Sequence, residues 1–334
     1  MSAFHTTTLS NNPLPLVVQP AAKDKALPDY LQQIADERAT LRKQLLEHGG
    51  LLFRNFPVAG IEDFTRVMEA LELGEFVDYI GGGAPRSKVK GKVYTSTEAP
   101  PSIKIQLHNE MSFCDYYPKH ICFYCDIPAQ QGGQTFIGDS RAIYKDADPA
   151  LLQRLTERRL KYISRYYHKS PIMELVNKLQ RGHKTWIDVF ETDQKGEVEK
   201  KCKAHNIGYK WNPHDWLEIS RLRPATIQHP VTGDTVWFNQ AHLFDYNPRF
   251  LGWWRYMAMR LLYFRDYTLV DEIRYEDDTP VPREDIYAIH DLLDKHSVYF
   301  PWQKGDVLVL DNILTMHGRA PFTGKRRILT AMTK

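Results

Sequence analysis

Cysteine is scarce in this chain: four residues among 334, at Cys114, Cys122, Cys125 and Cys202. That number and spacing exclude the disulfide framework of a small secreted fold. Cys122 and Cys125 form a C-x-x-C within the run HICFYCDIP. The run has strand character, and residues three apart on a strand point to opposite faces. The two thiols therefore cannot pinch one metal ion, and no second C-x-x-C completes a zinc site. All four read as small core hydrophobes.

Long hydrophobic runs are also missing. No stretch of about 18 apolar residues occurs, which excludes a membrane-spanning helix. The opening MSAFHTTTLSNNPLPL lacks the basic start and apolar stretch of a secretory signal. Charge of one sign is lacking too. The formal net charge is +3, with no clustered basic face to recruit nucleic acid. There is no internal repeat and no low-complexity tract. These absences point to a protein of the reducing cytoplasm, without nucleic-acid or membrane partners. Hydrophobic residues make up 43% of the chain, enough at this length to bury a sizeable core.

Residues 1–25 are polar and carry Pro13, Pro15 and Pro20, which predicts an extended lead-in. Residues 26–334 then read as a single domain. DYLQQIADERATLRKQLLEHGG has apolar positions at helical spacing and stops at Gly49-Gly50, which predicts one amphipathic helix. GLLFRNFP reads as a buried strand and IEDFTRVMEALEL as a second helix. From IKIQLHNEMSF onward, short strands alternate with turns: KHICFYCDI, GGQTFIGDS, TIQHPVTGDTVWFNQ and KGDVLVLDN. LLQRLTERRLKYI, WWRYMAMRLLYF and REDIYAIHDLLDKHS read as interrupting helices, and the charge-rich segment at about 168–210 reads as an insertion. The fold class is mainly β with flanking helices, a double-sheet jelly roll.

The chemistry concentrates in Gln106-Leu107-His108-Asn109-Glu110. Residues i and i+2 of a strand face the same side, so His108 and Glu110 converge. His317 follows an apolar strand far downstream in LVLDNILTMHGRAPF. Two imidazoles and one carboxylate on one face leave three positions open on a metal, the facial triad of non-haem iron(II) oxygenases. H-x-E alone occurs often by chance, and this chain has 13 histidines. The neighbouring motifs give it meaning. Thr135 follows in Gly132-Gly133-Gln134-Thr135, and Arg326-Arg327 follow His317. A guanidinium matches a carboxylate bidentately, and a threonine hydroxyl can donate to the same group. One end of 2-oxoglutarate can thus sit on Thr135 and an arginine while the 2-oxo acid chelates iron. Strand alternation turns only one arginine inward, and Arg327 is the expected anchor, with Arg326 as the alternative.

The ordered set H-x-E, G-G-x-T and H-G-R-x-x-F-x-G-x-R-R resembles the TauD/TfdA superfamily of iron(II)/2-oxoglutarate dioxygenases, with glutamate in the triad as in the clavaminate synthase branch. The resemblance spans roughly residues 45 to 334. LHNEMSF, GGQTFIGDSR, VWFNQAH and DNILTMHGRAPFTGKRRILTAM look most like hydroxylases of free or carrier-bound amino acids in peptide natural-product pathways, such as the syringomycin-type aspartyl hydroxylases. It implies a double-stranded β-helix, iron(II) on His108, Glu110 and His317, and O₂ and 2-oxoglutarate as co-substrates, the latter on Thr135 and Arg327. Three departures are visible. In taurine dioxygenase the arginine holding 2-oxoglutarate lies one residue further from the distal histidine. The place of its sulfonate-binding arginine falls here at about Ala331, which disfavours a sulfonate substrate. Related halogenases have Ala or Gly where Glu110 stands, which disfavours halogenation.

Substrate contacts are expected from Asn109 and Ser112 beside the metal motif, from Arg86 in GGGAPRSKV, and from Asn239 in VWFNQAH. Trp237, His242 and His290 read as structural. The expected partner is a small molecule, free or tethered to a carrier protein. Desaturation or cyclisation by the same cofactors remains open at this stage, as does a non-catalytic jelly-roll binding module.

Overall fold

Two runs of the chain, His120–Ile127 and Val307–Asp311, are apolar at nearly every position instead of alternating. A strand with both faces buried has that pattern. The computed structural model describes residues 3–9, 12–22, 25–78, 86–97, 99–168, 185–262 and 269–334. In chain order its strands begin with β1 (Phe4–Leu9), β2 (Asn12–Pro20), β3 (Gly50–Phe53), β4 (Lys88–Lys90) and β5 (Val93–Thr95). They continue with β6 (Ile105–His108), β7 (His120–Ile127), β8 (Gln131–Gly132), β9 (Thr135–Asp139) and β10 (Leu160–Tyr166). Next come β11 (Gly208–Asn212), β12 (Trp216–Arg223), β13 (Thr226–Gln228), β14 (Thr235–Trp237) and β15 (Asp271–Tyr275). The last are β16 (Val298–Phe300), β17 (Val307–Asp311), β18 (Thr315–Arg319), β19 (Phe322–Thr323) and β20 (Arg327–Thr333).

An eight-stranded sheet in the order β1-β2-β3-β17-β7-β20-β5-β4 faces a four-stranded sheet in the order β16-β9-β18-β6. Between them, Leu52, Ile121, Phe123, Cys125 and Leu308 meet Ile137 and Phe300. The opposite face of the large sheet, with Leu51, Cys122, Tyr124 and Val309, packs on helices α1 (Leu27–Asp36), α2 (Arg38–His48) and α3 (Ile61–Leu71). Cys122 and Cys125 thus lie in different cores on opposite faces of β7, as period-2 alternation requires. All four cysteines are buried and free. A third sheet, β11-β12-β10-β15, covers the small one together with the helix at Arg283–Lys295.

Several expectations need correction. Of the lead-in expected at 1–25, the described part is extended, but as paired strands of the core sheet. β1 and β2 form an antiparallel pair, and β2 joins β3 in parallel, so the hairpin is the edge of the large sheet. The single helix expected up to Gly49-Gly50 breaks at Glu37 into α1 and α2. The helix expected through LLQRLTERRLKYI ends at Glu157, and Leu160–Tyr166 is a strand flanked by β12 and β15. Leu160 and Tyr162 point into a core there, so tertiary pairing overrides local helical spacing. Of the expected insertion, residues 169–184 lie outside the described residues. The following part folds around its own core of Trp186, Phe190, Val198 and Cys202 against Leu217 and Ile219.

Candidate metal centre and co-substrate cavity

β6 and β18 run antiparallel, and His108 stands directly opposite His317. Directly opposed residues bring their side chains together on one face, and the ring centroids lie 4.3 Å apart. Gly318 lets the strands close. A Cβ there would stand 2.4 Å from the Phe136 ring and 2.6 Å from the Ile105 carbonyl oxygen. Glu110 does not share the strand, contrary to the i, i+2 expectation. It sits in the turn beyond β6, just before Met111, whose φ is +56°. Asn312 fixes that turn. Its Oδ1 accepts from the Glu110 N–H at 2.7 Å, and its Nδ2 donates to the carbonyls of Glu110 at 3.0 Å and Pro118 at 2.8 Å.

The potential ligand atoms of His108, Glu110 and His317 all lie within 4.8 Å of one another, and all three residues are buried. His317 Nε2 is 3.6 Å from a Glu110 carboxylate oxygen. His108 Nδ1 bonds the Gln106 carbonyl oxygen at 2.8 Å, which orients the ring and leaves Nε2 for a metal. His317 Nδ1 is buried without a partner. Burial, with His317 nearby, pushes the His108 imidazole down to about 4. Burial alone would raise the Glu110 carboxyl, but the Arg86 guanidinium 2.6 Å away, helped by His317 and His108, holds it well below the usual range. Near pH 7 the cluster therefore offers a neutral His108 and an ionised carboxylate, the forms a divalent cation requires.

Beside it lies a narrow cavity lined by Arg86, His108, Thr135, His317, Arg319 and Arg326. Thr135 Oγ1 accepts a hydrogen bond from the Trp302 indole N–H at 2.9 Å, which frees the hydroxyl proton to donate elsewhere. The Arg326 Nε donates to the Gly133 carbonyl at 3.0 Å. Arg319 donates to the carbonyls of Ala99, Pro100 and Ile103 at 2.8–3.0 Å. Among the described residues no carboxylate lies within ion-pair distance of Arg319 or Arg326. Burial pushes each guanidinium down to about 10, with Arg319 adding to the effect on Arg326. A buried and a half-buried cation, with no carboxylate near either among the described residues, make this a candidate anion site.

Most of the other expected site residues lie outside this cavity. Arg327 faces solvent and pairs with Asp126 at 3.0 Å, because β20 alternation sends the second arginine outward, so Arg326 is the one in the cavity. Asn109 and Asn239 are fully buried scaffold. Asn109 Nδ2 donates to the Asn312 carbonyl at 2.7 Å, and Asn239 Nδ2 to the Ala225 carbonyl at 2.9 Å. Ser112 is buried and lines neither this cavity nor the cleft described below. Arg86 stays at the site: it lines the cavity, and its Nη2 donates to the Glu110 carboxylate at 2.6 Å. Trp237 is core, and His242 and His290 pack edge to face, with His242 bonded to the Leu107 carbonyl. Sequence reasoning missed Asn312, Trp302 and Arg319. Arg319 alone carried a local signal, standing two residues after His317 on the same strand face.

Comparison with known proteins fits this geometry. Residues 10–333 match the family described as taurine catabolism dioxygenase TauD, TfdA family. A clavaminate synthase-like protein of Arabidopsis thaliana is 31% identical, covering 97% of this chain and 94% of its own. The dapdiamide synthesis protein DdaC of Enterobacter agglomerans is 32% identical, covering 86% and 83% respectively. Among solved structures, the PvcB protein of Pseudomonas aeruginosa superposes with a TM-score of 0.53 at 16% identity over 98% of this chain and 94% of that one. PvcB is described as an Fe, alpha-ketoglutarate dependent oxygenase from an isonitrile synthetic pathway. With a jelly-roll core, a buried two-histidine, one-carboxylate cluster and a whole-length family match, the chain belongs to the TauD/TfdA family of iron(II)- and 2-oxoglutarate-dependent dioxygenases.

Proposed function

We propose that this dioxygenase hydroxylates an amino acid or an amino-acid-derived substrate, free or carrier-bound, in a secondary-metabolic pathway. DdaC, named for dapdiamide synthesis, is the relative that favours this class. In this reading His108, Glu110 and His317 hold iron(II), and Thr135 and Arg326 hold the distal carboxylate of 2-oxoglutarate. Iron(II) with 2-oxoglutarate and O₂ supplies the oxidation of a C–H bond. The chain's own residues bind, orient and exclude water. Gln106 sets the His108 ring, Asn312 sets the Glu110 turn, and Arg319 adds positive potential to the co-substrate cavity. The observation that carries the assignment is the triad opening onto a cavity with two uncompensated guanidinium groups.

Anaerobic addition of iron(II) and 2-oxoglutarate should give a weak visible metal-to-ligand band, abolished by His108→Ala or His317→Ala. Amino acids and their carrier-protein thioesters are then screened for stimulated succinate release, and ¹⁸O₂ is followed into product. An ¹⁸O-labelled alcohol supports hydroxylation. Loss of two hydrogens without added oxygen would replace it with desaturation, and a chlorinated product in chloride-rich buffer would overturn the role given to Glu110.

A further inference from the structure

A second, wider cleft of about 620 Å³ shares no lining residue with the co-substrate cavity. It reaches Met111, the residue after Glu110, and Met332 on β20. Its far wall carries Arg221 from β12, whose side chain is almost entirely buried. Arg221 Nε has no hydrogen-bond partner, and among the described residues no carboxylate lies within 4.0 Å of its guanidinium. The groups around it are neutral near pH 7. Burial raises the Cys114 thiol and the Tyr116 phenol, and pushes the Tyr166 phenol up to about 12. The Phe113 ring centroid lies 5.8 Å away, a cation–π contact that holds the guanidinium without neutralising it. Asp271, on β15 beyond the intervening β10, is tied to Ser164 at 2.8 Å and Tyr246 at 2.9 Å, and burial raises its carboxyl. Of the other charged residues of the cleft, Lys334 pairs with Glu75, Asp78 pairs with Lys88 outside the lining, Lys92 and Lys201 donate to the Phe76 and Phe190 carbonyls, and Glu191 lines the cleft beyond ion-pair distance of Arg221.

A buried cation is costly unless paired, and among the described residues no carboxylate pairs with Arg221, which leaves it open to a group that enters the cleft. We propose that Arg221 is the specificity-determining residue that receives a carboxylate of the substrate. The planar guanidinium fork matches that group bidentately, and Tyr116 lines the same cleft as Arg221. The proposal rests on the dioxygenase reading of the triad beside it, because Met111 joins the cleft to the turn that carries Glu110.

The test uses the full chain loaded anaerobically with iron(II) and 2-oxoglutarate. Binding isotherms are measured for free amino acids, including the dicarboxylic ones, and for the same molecules with their carboxylates converted to carboxamides. The unmutated protein should bind at least one acid, and its carboxamide about tenfold to a hundredfold more weakly. Arg221→Gln should erase that preference while the visible iron–2-oxoglutarate band persists, and Arg221→Lys should keep part of it. Equal binding of acid and amide, no acid binding at all, or an unchanged preference in Arg221→Gln would overturn the proposal. If Arg221→Gln fails to fold, the acid-against-amide comparison on the unmutated chain still decides. Absence of the visible band in the unmutated chain would instead overturn the metal assignment, so the two failures are distinguishable.

Discussion

Adjacent arginines at one strand start have opposite fates in this protein. Arg326 lines the cavity beside Thr135, whereas Arg327 lies in solvent against Asp126. A charge-assisted hydrogen bond in a buried site is worth about 1.5–3 kcal/mol, and an exposed ion pair about 0–1 kcal/mol. Arg326→Ala should therefore raise the 2-oxoglutarate dissociation constant roughly tenfold to a hundredfold, read from titration of the visible band. Arg327→Ala should leave it within about twofold. The reverse ranking would return the anchor to Arg327. Trp302→Phe tests the neighbouring contact. It removes the indole donor to Thr135 Oγ1 and should weaken 2-oxoglutarate by about tenfold or less without changing iron affinity.

The two-histidine, one-carboxylate cluster is assembled by elements that are distant in the chain. The pairing of β6 with β18 sets the two histidines opposite one another, and the loop after β17 supplies Asn312, which grips the turn bearing Glu110. Asn312→Ala would leave the Glu110 N–H and the Pro118 carbonyl buried without their partner. Each orphaned group costs about 1–3 kcal/mol, so the denaturation free energy should fall by at least about 2 kcal/mol. Iron affinity should fall as well, because Glu110 loses its fixed position. A variant with unchanged stability and iron affinity would show that the turn holds itself. Gly318→Ala acts on the same pairing from the other strand. Its methyl group would press on the Phe136 ring and the Ile105 carbonyl, spreading β6 from β18. The expected result is a lower melting temperature together with a weakened visible band.

At the scale of the whole molecule, the large sheet divides the apolar residues into an interior facing the small sheet and an exterior covered by helices. The N-terminal hairpin takes part in both. Leu14 and Val17 join the interior, and Phe4, Leu16 and Val18 join the helical side. Burying one such side chain contributes about 1.5–3 kcal/mol, so several together approach the 5–15 kcal/mol that typically holds a domain folded. A chain beginning at residue 26 should therefore melt far below the full chain or aggregate, as followed by circular dichroism and gel filtration. Equal melting temperatures would mean that the hairpin is dispensable. Among the described residues no helix is long and apolar enough to cross a membrane.

The sequence by itself determined the elements with strong periodicity: the doubly buried runs of β7 and β17, the helix at Ile61–Leu71, and the hairpin around Gly233. It also carried His108, Glu110 and His317, which the fold clusters, and Thr135, which lines the cavity beside them, because the proposed chemistry needs particular residue types in a particular order. Tertiary structure decided what depends on facing surfaces. A slip of one residue at the start of a strand exchanges inside for outside, so only the pairing of β20 with β7 could choose Arg326 over Arg327. Leu160–Tyr166 became a strand because β12 and β15 were there to bond it. Asn109 and Asn239 stand next to informative motifs, yet burial turned their amides toward backbone carbonyls. Arg221 carries no local signal at all. Its proposed role comes from a cleft built by segments far apart in sequence, where among the described residues no carboxylate lies within ion-pair distance of its guanidinium.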